Sequence, residues 1–259
     1  MSDLQLPETI AREIAGYRLQ ELPRRHAPST VVMLSKPGRR SMVLKIGRDL
    51  VPEARRLRWL KGRLPVPEVV DIASQDSTDY LLMTKLPGRD GSDERVQRDG
   101  ARFVELLAEA LRTMHGIPIA DCPFPAGTDD LLAIAERRVS EGVLGASDFP
   151  AHYLGRSPRE LLQALRDLRP GDEGAVFTHG DASLPNFLFH RGQVSGYIDL
   201  GLAGIADPYR DLGLAARSLT RNMGGKWVRP FLRAYGAPMD ERRLEFFILL
   251  DEFVGALPG

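Results

Sequence analysis

The sequence predicts an α+β fold of two lobes, a small β-rich N-terminal lobe over residues 1–86 and a larger, mainly helical C-terminal lobe over residues 87–259. Three observations predict it. Paired apolar runs with polar turns occupy the first third of the chain. Apolar residues then recur at spacings of three and four from residue 97 onward. Short glycine-bounded strands return near residues 176–198, between further helical segments.

The first hairpin is expected from Thr30 to Leu34 and from Ser41 to Ile46, two Val-, Leu-, Met- and Ile-rich runs around the turn Lys36-Pro37-Gly38-Arg39-Arg40. Residues 52–63 follow as a helix: Pro52 suits a first turn, Ala54, Leu57 and Leu60 share a face, and Leu64-Pro65-Val66-Pro67 ends it. Glu68 to Ala73 and Tyr80 to Thr84 are two more strands around the polar turn Ser74 to Asp79. Past Pro87-Gly88-Arg89-Asp90-Gly91 the period changes. Phe103, Leu106, Leu107, Ala110, Leu111 and Met114 mark a helix over 97–115, and residues 128–141, 157–168, 210–223 and 240–253 read the same way. Residues 176–177, 187–190 and 194–198 are the short strands.

Composition excludes classes without naming a function. Apolar residues make up 43% and charged residues 27%, ordinary usage for a water-soluble globular chain. The N-terminal residues lack a basic leader with an apolar stretch behind it, and no apolar run reaches membrane-spanning length, so neither secretion nor a membrane partner is expected. Cys122 is the one cysteine, which precludes an internal disulfide and suits a cytoplasmic setting. Basic and acidic residues both total 35, so a nucleic-acid partner is not expected, although Pro23-Arg24-Arg25-His26 is a small basic patch.

The chemistry concentrates in FTHGDASLPNFLFHRGQVSGYIDLG, residues 177–201. Asp181 follows a short strand, Asn186 lies five residues on, and Asp199 ends a second strand pair. Magnesium prefers hard oxygen donors from one or two carboxylates, completed by phosphate and water. Asn186 with Asp199 supplies such a set, which leaves Asp181 to act as a base.

That spacing resembles the catalytic loop and metal-binding aspartate of the protein-kinase fold, with Ile198-Asp199-Leu200-Gly201 in place of its Asp-Phe-Gly signature. The wording His-Gly-Asp, Leu-Pro-Asn, Ser-Gly-Tyr-Ile-Asp-Leu-Gly, Ile-Ala-Asp and Arg-Asp-Leu is similar to that of the aminoglycoside 3'-phosphotransferases. The likeness extends through Leu44-Lys45-Ile46, Leu81-Leu82-Met83, His115-Gly116-Ile117, Asp121-Cys122-Pro123-Phe124 and Leu249 to Phe253. It implies a two-lobed protein-kinase-like fold and transfer of the terminal phosphoryl group of ATP or GTP to an aminoglycoside hydroxyl, with Mg2+ as cofactor. Such an enzyme works in the cytoplasm as a monomer or weak dimer and confers resistance to the antibiotic.

The resemblance also implies residue roles. Asp181 is the base, Asn186 and Asp199 hold magnesium, and Lys45 touches the nucleotide phosphates with Glu53 as its partner. Taken alone, Lys45 and Glu53 read as a solvated surface pair, or Glu53 as a helix-start acid. Met83 takes the place of the hinge that meets the adenine edge, and by itself reads as core. Asp211 braces the catalytic loop. From their own surroundings His179 reads as orienting that loop, and His115 as a helix-end ring that offsets the dipole. Asp148, Arg217, Asp251 and Glu252 fall at the acceptor.

The sequence departs from the family in places. Residues 24–30, RRHAPST, hold no glycine, and Ala27 stands where the family has a serine, with Ser29 and Thr30 nearby as candidates for the nucleotide. Of the acid-rich stretch between two helices only Asp148 is acidic. Leu202 replaces a common arginine, and Arg221 stands where an acid is expected. These changes leave room for a different small hydroxylated acceptor, or for a nucleotide-binding regulator without turnover.

Overall fold

The computed structural model describes residues 6–22, 29–171 and 174–255. The basic patch at 23–26 and Ala27 lie outside them. Among the described residues the chain forms two compact units. One takes the chain up to Gly88 together with Ser195–Gly201, and the other takes Arg89–Val194 and Leu202–Gly255. Asp199 therefore belongs to the unit built by the first third of the chain.

The smaller unit opens with helix α1 (Glu8–Glu13), then strands β1 (Arg18–Glu21), β2 (Thr30–Ser35) and β3 (Met42–Gly47), helix α2 (Val51–Leu60), and strands β4 (Val69–Gln75) and β5 (Thr78–Thr84). Its strands are ordered β1-β2-β3-β5-β4, each neighbour antiparallel. Alternation in a strand sends successive side chains to opposite faces. Val32 and Leu34, Met42 and Leu44, and Tyr80 and Leu82 therefore fall on one face, where they form a core with Ile10 and Ile14. A fully buried side chain of this size contributes roughly 2 kcal/mol, which is enough to fix the register. Lys45 alternates with Leu44 and so faces the other way.

The expected β4–β5 turn tightens to two residues. Asp76 and Ser77 have φ of 50° and 61°, both in the left-handed region that a two-residue hairpin needs for its twist to match the strands. The expected helix 52–63 ends three residues early, at Leu60. Elements α1 and β1 lack a sequence signal: α1 is a helix of six residues with Ile10 its one buried side chain, too short to show a period.

The larger unit begins with β6 (Arg89–Asp90), α3 (Glu94–Gln97) and α4 (Gly100–His115), followed by α5 (Thr128–Ser140) and α6 (Pro158–Leu168). Strands β7 (Val176–Thr178) and β8 (Phe187–His190) come next; β9 (Gln193–Tyr197) starts here and runs on into the smaller unit. Then come β10 (Gly204–Ala206), α7 (Tyr209–Met223), α8 (Val228–Tyr235) and α9 (Glu241–Val254).

Asp99 caps α4, its side chain accepting from Arg102 N, and Ser157 caps α6 in a reciprocal box with Glu160. Helix α4 packs on α8, and α7, α5 and α6 pack on α9. Helix α9 buries Leu244, Phe246, Phe247, Leu249, Leu250 and Phe253. Gly213 allows α7 to approach closely, since a Cβ there would stand 3.2 Å from the Leu244 carbonyl. The elements α8 and β10 carry too few apolar residues for their periods to show in the sequence. No helix among the described residues is long and apolar enough to cross a membrane.

One expectation tests the strained turn. Ser77→Gly should raise stability by about 0.5–1 kcal/mol, because glycine tolerates positive φ without a Cβ clash. A urea midpoint equal to or below that of the unchanged protein would contradict the turn assignment.

Candidate active site

In the larger unit the 177–187 segment is held from three directions. Strand β7 pairs antiparallel with β10, Val176 opposite Ala206 and Thr178 opposite Gly204, and Thr178 Oγ1 donates to the Gly204 carbonyl. Gly180 follows with φ of 83°, and a Cβ there would lie 2.2 Å from the Leu202 carbonyl oxygen. A glycine is therefore required on steric and conformational grounds. Gly91 donates its amide to the carbonyls of Leu184 and Phe187, and Leu184 N donates to Ser218 Oγ on α7.

The third hold is Asp211, fully buried in the first turn of α7. Its Oδ2 accepts from His179 N at 2.6 Å and its Oδ1 from Gly180 N at 2.9 Å. His115 Nε2 lies 3.0 Å from Oδ2, and His115 Nδ1 lies 2.7 Å from the Tyr235 hydroxyl. Burial works to raise the Asp211 carboxyl, but the His115 ring and the His179 ring and amide outweigh it and hold it below the ordinary value. His115 is thus a buried partner of this carboxylate, which is more than the helix-end role expected of it. His179 is fully buried.

Asp181 is presented on that frame. Asn186 Nδ2 donates both to the Asp181 carbonyl and to Asp181 Oδ2, each at 2.9 Å, and Ser183 Oγ donates to Oδ1 at 2.6 Å. The Asn186 nitrogen is committed to Asp181, so its amide oxygen faces the other way. A divalent cation would find a hard oxygen there. Ser183 was missed at the sequence level; an oxygen-bearing side chain two residues after an aspartate is the local signal that could have found it.

In the smaller unit Lys45 Nζ donates to Glu53 Oε2 and to Asp199 Oδ1, both at 2.7 Å. The Lys45 side chain is 12% exposed and that of Glu53 3%, so the surface-pair reading fails, while Asp199 is 48% exposed. Burial works against the Lys45 ammonium, but Glu53 and Asp199 outweigh it and hold its pKa above the ordinary lysine value. Burial also pushes the Glu53 carboxyl up, against the pull of Lys45. The two upward shifts favour opposite protonation states. The ammonium prevails, because Lys45 donates to two carboxylates.

Asp199 adopts φ of 61°, in the left-handed region that asparagine and aspartate enter more readily than other residues with a side chain. Tyr197 N donating to the Pro65 carbonyl anchors the approach to that turn. Ser29 is buried just before β2, and Thr30 opens β2 opposite Ile46. Met83, 8% exposed in β5, lies opposite Val43 and Val69 within the sheet. Its side chain is core, in line with the plainer of its two readings.

The expected acceptor residues divide. Arg217 on α7 donates to Asp251 at 2.5 Å and to Glu252 at 2.8 Å, all three less than one-fifth exposed. Asp148 is exposed and caps its own turn by accepting from Gly145 N at 2.7 Å. Its neighbour Phe149 packs against Phe253 with ring centroids 5.0 Å apart, which brings that loop to the end of α9. Arg210 of the Arg-Asp-Leu motif, to which the sequence assigned no role, is 5% exposed and lines one crevice with Asp251.

The sign of the Asp211 shift makes a prediction. A carboxylate held below its ordinary value contributes stability that is present above about pH 4 and lost as pH falls through its folded value. Asp211→Asn should cost roughly 3 kcal/mol at pH 7 and flatten the acid limb of the stability curve. Urea unfolding from pH 7 to pH 3 reads both effects, and an acid limb of unchanged steepness in the variant would contradict the assignment.

Comparison with known proteins places this geometry. Residues 19–247 match the phosphotransferase enzyme family. An aminoglycoside 3'-phosphotransferase of Niallia circulans is 42% identical over 208 residues, 80% of this chain and 79% of the relative. The crystal structure of an aminoglycoside-3'-phosphotransferase of type VIII superposes with a TM-score of 0.82 at 30% identity, covering 95% of this chain and 96% of the other. An aminoglycoside phosphotransferase of Streptomyces rimosus, solved with ADP and streptomycin, gives 0.77 at 25% identity, with 94% and 95% covered. With a family match over residues 19–247 and a relative 42% identical over 79% of its length, the chain belongs to the phosphotransferase enzyme family, among the aminoglycoside 3'-phosphotransferases.

Proposed function

We propose that this chain transfers the terminal phosphoryl group of ATP or GTP to the 3'-hydroxyl of an aminoglycoside, and so confers resistance to it. The observation that carries this reading is the clasp on Asp181. Both carboxylate oxygens accept hydrogen bonds, from Ser183 and Asn186, on a loop pinned by Asp211. A carboxylate so fixed is positioned to take the proton of an acceptor hydroxyl as that oxygen bonds to phosphorus and the bond from phosphorus to the leaving nucleotide oxygen breaks. Such transfer asks little covalent chemistry of the protein and much positioning.

Lys45, held as an ammonium by Glu53, is the cation for the nucleotide phosphates. Magnesium is the cofactor of this reading, and the Asn186 amide oxygen and the half-exposed Asp199 carboxylate are each hard donors of the kind it takes. When bound, that ion neutralises charge on the phosphates. The relatives named for aminoglycosides, and the solved complex with ADP and streptomycin, support the donor and acceptor classes. The setting consistent with this activity is the cytoplasm, with the chain acting as a monomer or weak dimer. In this reading Ser29, Thr30 and the backbone at Met83 serve the nucleotide, and Asp148, Arg217, Asp251 and Glu252 serve the acceptor.

Two measurements test it. Asp181→Ala should lower turnover by roughly a hundredfold or more in an ADP-release assay with kanamycin or neomycin. Turnover equal to that of the unchanged enzyme would end the assignment of Asp181. Asp199→Ala should abolish the magnesium dependence of nucleotide binding in a fluorescence titration; an intact magnesium response would remove Asp199 from the ligand set.

A further inference from the structure

The hydroxyl of Ser183 has an uncommon use. Ser183 heads the single helical turn Leu184–Asn186, a position from which a serine ordinarily caps, its oxygen accepting from an amide of that turn. Here it makes no such bond. Pro185 has no amide hydrogen, Asn186 N donates to the Ser183 carbonyl at 3.0 Å, and Leu184 N donates to Ser218 Oγ on α7, also at 3.0 Å. Each amide of the turn is either provided for or absent. The Ser183 hydroxyl is thereby released to donate to Asp181 Oδ1 at 2.6 Å.

A carboxylate only accepts, so the serine is the donor. An oxygen 2.6 Å from a carboxylate oxygen stands where a hydroxyl must stand to pass its proton to that base. The other oxygen, Oδ2, accepts from Asn186 at 2.9 Å. Ser183 thus sits on Asp181 in the pose of a phosphoryl acceptor. Ala182 and Leu184 on either side of it are fully buried, which fixes the backbone that carries the hydroxyl.

Two kinds of molecule compete for that place. An aminoglycoside is held by the rest of its contacts, and binding energy from its remote parts can displace the serine. Water has no remote contacts to draw on. A hydroxyl tethered two residues from the base competes at an effective concentration that for well-oriented groups reaches ~10⁵ M or more, beyond anything bulk water supplies.

We propose that Ser183 is a specificity-determining residue of the transfer: its hydroxyl holds the place of the acceptor hydroxyl on Asp181 Oδ1 and keeps water from it. The reaction it suppresses is hydrolysis, in which a water oxygen bonds to phosphorus, its proton passes to Asp181, and the bond from phosphorus to the leaving nucleotide oxygen breaks. Phosphate and the nucleoside diphosphate are the products. This rests on the reading of Asp181 as the base of an aminoglycoside kinase and deepens it.

The test compares two products formed with ATP and magnesium: ADP released, and kanamycin phosphorylated as read by mass spectrometry. In the unchanged enzyme the two should match, and ADP release without acceptor should be at least about a hundredfold slower than with kanamycin. Ser183→Ala should raise acceptor-free ADP release about tenfold and push the ratio of ADP to phosphorylated kanamycin above one. Ser183→Thr, which keeps the hydroxyl, should restore the match. A serine that merely orients Asp181 would slow hydrolysis and transfer by the same factor in Ser183→Ala and leave the ratio at one, which overturns the proposal. A phosphate found on Ser183 of the unchanged enzyme after incubation with ATP also overturns it, because the hydroxyl would then be an acceptor. Should Ser183→Ala fail to fold, the acceptor-free rate of the unchanged enzyme decides, and a rate closer to the kanamycin rate than about a hundredfold sinks the proposal. Failure of kanamycin and neomycin alike to be phosphorylated by the unchanged enzyme would remove the kinase reading and the proposal with it.

Discussion

The larger unit depends on one buried carboxylate. Asp211 is fully enclosed, yet it accepts from the two backbone amides that precede Asp181 and faces the ring of His115. An enclosed carboxylate without partners would cost several kcal/mol, so the groups around it are under strong constraint. They tie the first turn of α7 to the end of β7, and Gly180 must be glycine because the chain then turns against the Leu202 carbonyl. The position of Asp181 follows from these contacts, and the clasp by Ser183 and Asn186 sets only its final orientation.

The smaller unit solves a comparable problem with opposite charges. Lys45 projects from β3 on the face away from the apolar core, where burial disfavours an ammonium. Glu53 on α2 and Asp199 beyond β9 compensate it from two separate parts of the chain. The left-handed backbone of Asp199 shows what that arrangement requires of the local conformation. The half-exposed Asp199 carboxylate thus meets solvent beside an ion pair that is itself buried.

Much of this was legible in the sequence. The hairpin β2–β3, the helices α4, α5, α6, α7 and α9, and strand β8 have clear periods or caps, and their residues settle the pattern locally. The interval from Asp181 to Asn186 encodes a short-range contact, which the structure makes at 2.9 Å. Lys45 with Glu53 could be read two ways, because burial decides between an exposed pair and a desolvated one and no local pattern reports it. Asp148 shows the converse: an acid in the right stretch of sequence is occupied in capping its own turn. The elements α1, β1, β6, β10 and α8 were not legible, being too short or too weakly patterned to stand out from loops.

The sequence by itself determined most of the elements and the short-range contacts within the 177–187 segment, since periodicity, caps and short spacings act over a few residues. Only the tertiary structure decided which charges are compensated. Arg217 reaches Asp251 and Glu252 across more than thirty residues, Arg210 is enclosed beside Asp251, and Asp211 finds loop amides thirty-one and thirty-two residues away. The energy of a charge depends on its burial and its neighbours, and both are properties of the packed chain.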